Sequence, residues 1–216
     1  MPSAALFFAE LWKEAGLPDD VFNVIQGDKT AVDALLEHPE ITAVSFVGST
    51  QIGEYVYQKG TSHNKRVAAF TGGKNHMVVM PDADLEAAAN AFVSAGFGSA
   101  SQRCMAVSLL IPVGAETADH LRQRIVEKIK ALKVGAYNDP TADFGAVISA
   151  QSQQSVLKAI DQCIADGAEL VVDGRDFKHP EYANGYYIGP TLFDYLSMDM
   201  GFYQQEVFGP ARGILR

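Results

Sequence analysis

Apolar positions along the chain switch between a helical and an alternating period, and the switches divide it into short elements. "SAALFFAELWKEAGLP" carries its apolar residues at helical spacing and closes on Gly16 and Pro18, which predicts a helix. "VFNVIQG" reads as a strand, "DKTAVDALLEH" as a helix capped by Asp28, and "ITAVSFVG" as a second, buried strand. "STQIGEYVYQKG" begins a helix directly after that strand, so its first-turn N–H groups face out from the carboxyl edge of the sheet, where an anion is favoured. "KRVAAFTGG" predicts a third strand ending in a double-glycine turn and "NHMVVMPDAD" a fourth. "DLEAAANAFVSAGF" is apolar on nearly every side and predicts a buried helix.

The alternation continues past Cys104. "AVSLLIPV" reads as a strand, "ETADHLRQRIVEKIKALKVG" as an amphipathic helix ending at Gly135, and "SAQSQQSVLKAIDQCIADGA" as a further helix. "ELVVDG" and "YYIGPTLF" read as strands flanking the polar loop "RDFKHPEYANG". The fold class is therefore α/β, with parallel sheets and crossover helices. Glycines at "TGG" place a domain boundary between Thr71 and Gly72, giving domains 1–71 and 72–216. An open sheet that starts on a helix without its strand, and a chain that stops within the apolar "ARGILR", make both ends look cut.

Composition narrows the function classes. A chain of 216 residues can bury a core, and its net charge of −9 without a Lys/Arg cluster argues against nucleic-acid or anionic-membrane partners. No apolar run approaches the roughly 18 residues of a membrane span, and the N-terminus lacks the basic start of a signal peptide, so a cytoplasmic setting is expected. The two cysteines, Cys104 and Cys163, are far apart and expected to be free thiols. His38, His63, His76, His120 and His179 are scattered, and no metal site is expected.

"GSASQRCMAV" raises the first chemical question. Cys104 reads either as a small core residue or as a nucleophile, and the adjacent Arg103 favours thiolate, which leaves both readings open. "FVGSTQIG" is equally two-sided, because Gly48 and Gly53 serve a tight turn and close helix packing as well as a phosphate.

Taken in order, "FVGSTQIG", "GGKN" with "PDAD", "SQRCMA" and "EVFGP" resemble the aldehyde dehydrogenase superfamily over most of the chain. The resemblance implies part of a dinucleotide-binding parallel sheet joined to a catalytic α/β domain, with NAD as cofactor. It implies Cys104 as the nucleophile that attacks an aldehyde and ends as a thioester. It further implies Gly48, Ser49 and Gly53 at the pyrophosphate, Thr71 beside the nicotinamide, Glu206 on the nicotinamide ribose and Phe208 against the ring. Hydrolytic members carry a glutamate base four residues before the lysine of the G-G-K motif; here that position is Phe70, which cannot take a proton.

The loss points to the coenzyme A-acylating branch, and "KNHMVVMPDAD" with "QRCMA" is similar to its methylmalonate-semialdehyde dehydrogenase members. That resemblance implies coenzyme A as co-substrate and makes Arg103 a candidate for holding the substrate's carboxylate, beside the reading of a surface arginine or one paired with a local acid. The family is roughly twice this length, which makes the chain an expected internal fragment, inactive alone, with a homo-oligomer expected for the complete protein and self-association through exposed sheet edges for the isolated chain. Two alternatives stand beside this reading: a non-catalytic remnant or interaction module of the same fold, and a hydrolytic dehydrogenase with a displaced base.

Overall fold

The computed structural model describes residues 2–216; Met1, where the first expected domain begins, lies outside the described residues. The chain divides into two compact units, Met1–Gly72 and Gly73–Arg216.

In the first unit α1 (Pro2–Glu14) precedes α2 (Lys29–Glu37), β1 (Ala43–Val47), α3 (Thr50–Ser62) and β2 (Arg66–Phe70). The Asp28 carboxylate accepts from Thr30 N–H and caps α2. β1 and β2 pair in parallel, Ala43 opposite Arg66 and Val47 opposite Phe70, as a two-stranded sheet. Both strands are exposed at alternate residues, so β1 is not the buried strand its composition predicts. "VFNVIQG" is not a strand either. A strand exists only through a ladder with a neighbour, and Val21 (65% exposed) and Ile25 (62%) pack on none. Asp20, at φ 68°, turns the chain there and accepts from the Asn23 amide.

The second unit contains β3 (His76–Val79), α4 (Leu85–Phe97), β4 (Leu109–Pro112), α5 (Ala115–Ala131), α6 (Ala150–Ala165), β5 (Glu169–Val172), β6 (Thr191–Leu196), α7 (Gly201–Gln204) and β7 (Ala211–Leu215). Its sheet runs β3-β4-β7-β6-β5, parallel except that β5 is antiparallel to β6. The expected all-parallel arrangement fails at this edge because a loop, not a crossover helix, joins β5 to β6.

α4 starts where Asp84 accepts from the N–H groups of Glu86 and Ala87. It buries Ala88, Ala89, Phe92, Val93, Gly96 and Phe97 while Ala87, Asn90, Ala91 and Ser94 face solvent, so it is one-sided rather than buried all round. Burying a phenylalanine contributes about 1.5–3 kcal/mol, and Phe92 and Phe97 join Leu109, Leu110, Leu121 and Ile125 in one core. α5 ends at Ala131, short of Gly135, because residues 133–135 pair with 143–144 instead: Asp143 N–H donates to Lys133 O at 2.8 Å and Gly135 N–H to Phe144 O at 3.0 Å. β6 starts at Thr191 and not at Tyr186, since Pro190 has no N–H to give a ladder.

Candidate active site

In the first unit the chain leaves β1 through Gly48 and Ser49 and enters α3. Gly48 N–H donates to Phe70 O at 3.1 Å, which ties this turn to the end of β2. A Cβ on Gly48 would lie 2.5 Å from the Phe46 ring, and one on Gly53 2.3 Å from Thr71 Cγ2. Only glycine allows these approaches, and they bring Gly48, Ser49, Gly53 and Thr71 together around one helix start. Ser49 is exposed and its hydroxyl caps nothing. The first helical N–H with an internal acceptor is Gly53, on Ser49 O at 2.9 Å. The preceding donors, at the positive end of the helix, suit the oxygens of a pyrophosphate. Phe70, 62% exposed, ends β2 beside Thr71.

In the second unit α4 runs into the 3-10 turn Gly98–Ser101, in which Ser99, Ala100 and Ser101 have φ of 58°, 52° and 60°. A left-handed non-glycine residue costs roughly 1–2 kcal/mol, so three in a row persist only where neighbours hold them. Ser101 Oγ donates to Gly96 O, which also accepts from Arg212 Nε at 2.7 Å. Arg212 is 1% exposed, and burial lowers its pKa to about 9; its guanidinium sits on the Gly96 carbonyl in the last turn of α4, the negative end of that helix. Asn75 Nδ2 donates to Cys104 O at 2.8 Å and to Ala106 O at 3.0 Å, pinning the loop from the other side.

The two thiols end in opposite environments. Cys104 is exposed, whereas Cys163 is fully buried on α6 and burial pushes its thiol up to about 12. Arg103 is exposed beside Cys104, with its guanidinium lying over Gly98. Glu206 and Phe208 share a cleft of about 490 Å³ whose facing wall is the start of α6, with Ser149, Gln151 and Ser152. Lys74 Nζ donates to Gln205 O at 2.8 Å and sits 4.4 Å over the Phe202 ring. Burial, with the Arg212 charge second, lowers its pKa to about 8.

Sequence reasoning missed Asn75, Lys74, Gln102 and Gln151. The first three lie inside motifs that the sequence makes conspicuous, but their partners are far along the chain. Among the described residues no cluster of His, Cys, Asp or Glu could hold a metal ion, and no helix is long and apolar enough to cross a membrane.

The malonate-semialdehyde dehydrogenase of Pseudomonas aeruginosa is 49% identical over 215 residues, covering 100% of this chain and 43% of that protein. The bovine mitochondrial methylmalonate-semialdehyde/malonate-semialdehyde dehydrogenase, named as acylating, is 43% identical, covering 100% and 40%. A solved structure from Sinorhizobium meliloti 1021, assigned as a methylmalonate-semialdehyde dehydrogenase and complexed with NAD, superposes with TM-score 0.96 at 51% identity, over 100% of this chain and 44% of that one. The chain thus spans under half the length of the relatives it matches. With the aldehyde dehydrogenase family model matched over residues 1–216, and the same fold in the superposed structure, this chain belongs to the aldehyde dehydrogenase family.

Proposed function

We propose that the protein serves NAD-dependent, coenzyme A-acylating oxidation of a semialdehyde of the malonate or methylmalonate type, with Cys104 as nucleophile. The observation that carries this reading is the contrast between an exposed, doubly anchored Cys104 and a buried Cys163. The Cys104 thiolate adds to the aldehyde carbon, forming a C–S bond. Loss of the aldehyde hydrogen with its electron pair leaves a thioester on Cys104. NAD, when bound, supplies the acceptor for that hydride. In the first unit Gly48, Ser49 and Gly53 suit its phosphates and Thr71 its nicotinamide; for Glu206 and Phe208 in the second, the ribose and ring roles rest on the family resemblance.

Deacylation separates this reading from a hydrolytic one. Phe70 offers no carboxylate to activate water, so the coenzyme A thiolate displaces the Cys104 sulfur and carries the acyl group away. The C–C bond to the substrate's own carboxylate breaks as carbon dioxide leaves; its electron pair passes into the thioester as an enolate, whose carbon then takes a proton from solvent, and Arg103 holds the carboxylate until then. Similarity to a relative named as acylating supports the same branch. The reading includes a cytoplasmic setting and a homo-oligomer for the complete protein.

One observation favours the non-catalytic alternative. Among its described residues the first unit offers only a two-stranded sheet, exposed at alternate residues of both strands, as a frame for a dinucleotide. The reading therefore extends to weak NAD binding and low turnover by the 216-residue chain alone. The test incubates this chain, and a full-length version carrying its sequence, with NAD, methylmalonate semialdehyde and coenzyme A. NADH and acyl-CoA from the full-length protein, abolished by Cys104→Ala, are expected; free acid as the main product would overturn the acylating assignment.

A further inference from the structure

Gln102 lies two residues before Cys104, and every hydrogen-bonding group of its carboxamide is engaged. Nε2 donates to Ser152 Oγ at 2.9 Å and to Phe208 O at 3.3 Å, while Oε1 accepts from Ile148 N–H at 2.9 Å. The orientation of the amide is fixed by its partners, because a backbone N–H can only donate and a carbonyl can only accept. The three partners lie on separate stretches: the first turn of α6, the loop before it, and the segment after α7 that carries Glu206 and Phe208. The turn that leads into Gln102 is left-handed at three consecutive residues and needs such ties to persist. Ser152 and Phe208 also line the 490 Å³ cleft, so the clamp joins the thiol's loop to both walls of that cleft.

We propose that Gln102 is the positioning residue of this site, a side-chain clamp that holds the Cys104 loop at one separation from the Glu206–Phe208 cleft. The inference rests on the reading of Cys104 and Phe208 as parts of one active site. It assigns Gln102 no contact with substrate or cofactor. Phe208 is held through its backbone carbonyl, so replacing its side chain leaves the clamp in place.

The test uses the 216-residue chain with Phe208→Cys, carrying nitroxide labels at Cys104 and at position 208, read by continuous-wave electron paramagnetic resonance. Cys163 is buried and stays unlabelled. With Gln102 present, one defined dipolar broadening is expected. Gln102→Met removes all three bonds and loses that feature in favour of a spread of separations. Gln102→Glu keeps an acceptor for Ile148 N–H but turns a second acceptor on Phe208 O. It is expected to lose the feature at neutral pH and regain it below about pH 4, where a protonated glutamic acid again donates.

Circular dichroism melting of each variant separates unfolding from release of the loop. The parent dipolar feature retained in both folded variants, or lost in Gln102→Glu without recovery in acid while the Gln102 parent keeps it there, would overturn the clamp. The readout needs no turnover. It can fail while the dehydrogenase assay succeeds, and loss of activity in Cys104→Ala is judged separately.

Discussion

Alkylation with limiting iodoacetamide reads the difference between the two thiols directly. Burial pushes Cys163 up to about 12, so near pH 8 only about 10⁻⁴ of it is thiolate, whereas an ordinary free cysteine is about a quarter ionised. Ionisation alone favours an exposed thiol by roughly 2,000-fold. Part of this is returned, because a more basic thiolate is the better nucleophile; a Brønsted slope near 0.45 over about 3.5 units gives back roughly 40-fold. Against an ordinary exposed thiol the net handicap of Cys163 is about 50-fold. By the other route, local opening of α6, Cys163 sheds its burial shift and reacts only in proportion to the small open fraction, so it stays the slower thiol by either path. The assay is a brief labelling near pH 8, quenching, proteolysis and quantification of the two cysteine peptides by mass spectrometry. In strong denaturant the preference should vanish, since it belongs to the fold. Labelling of Cys163 within fivefold of Cys104 in the folded chain would show that neither the burial nor the exposed placement of Cys104 is as argued.

Phe70→Glu, in a complete version of the enzyme, is expected to raise the ratio of free acid to acyl-CoA, measured by chromatography of both products; an unchanged ratio would clear Phe70 of blame for slow hydrolysis. Gly53→Ala puts a Cβ 2.3 Å from Thr71 Cγ2 and is expected to cost about 1–3 kcal/mol in urea unfolding. Adding Thr71→Ser, which deletes that methyl, should restore most of the loss, and additive costs would refute the contact. Lys74 is held at about 8 in the folded chain, below the ordinary 10.5, so between these values the unfolded chain carries the proton that the folded one has released. Lys74 should therefore add stability as pH rises across that window, by at most about 3 kcal/mol. Because Arg212 and Cys163 also titrate differently in the folded and unfolded chain there, the gain is read as the difference between the parent and Lys74→Met, which should grow with pH.

Elements whose cause is local were legible in the sequence. Asp28 announces a helix start because a carboxylate two or three residues from a free N–H can only improve that turn, and it caps as expected; Asp84 starts α4 by the same device. "VFNVIQG" failed for the opposite reason. Its alternation qualifies it for a sheet, but whether a ladder forms depends on a neighbouring strand, and Val21 and Ile25 remain exposed. α5 stopped early because Asp143, ten residues on, competes for the backbone of Lys133.

The candidate site divides along the same line. Gly48 and Gly53 stand out as small residues in a strand-turn-helix motif, and the contacts that require them, Phe46 and Thr71, belong to the same short series of elements. Cys104 stands out because it is rare. What holds Cys104 does not stand out, since asparagine and glutamine occur throughout a surface and carry no periodic signature. Asn75 reaches the Cys104 carbonyl across 29 positions, and Gln102 reaches Phe208 across 106. These bonds oppose a left-handed turn whose cost falls on Ser99, Ala100 and Ser101, residues that give no local warning of it. A strained loop of small residues is free to place a thiol where the chemistry needs it, and the same strain makes that placement depend on amides recruited from other elements. Conservative changes at Asn75 or Gln102 should therefore disturb the thiol's position more than changes at the small residues that surround it.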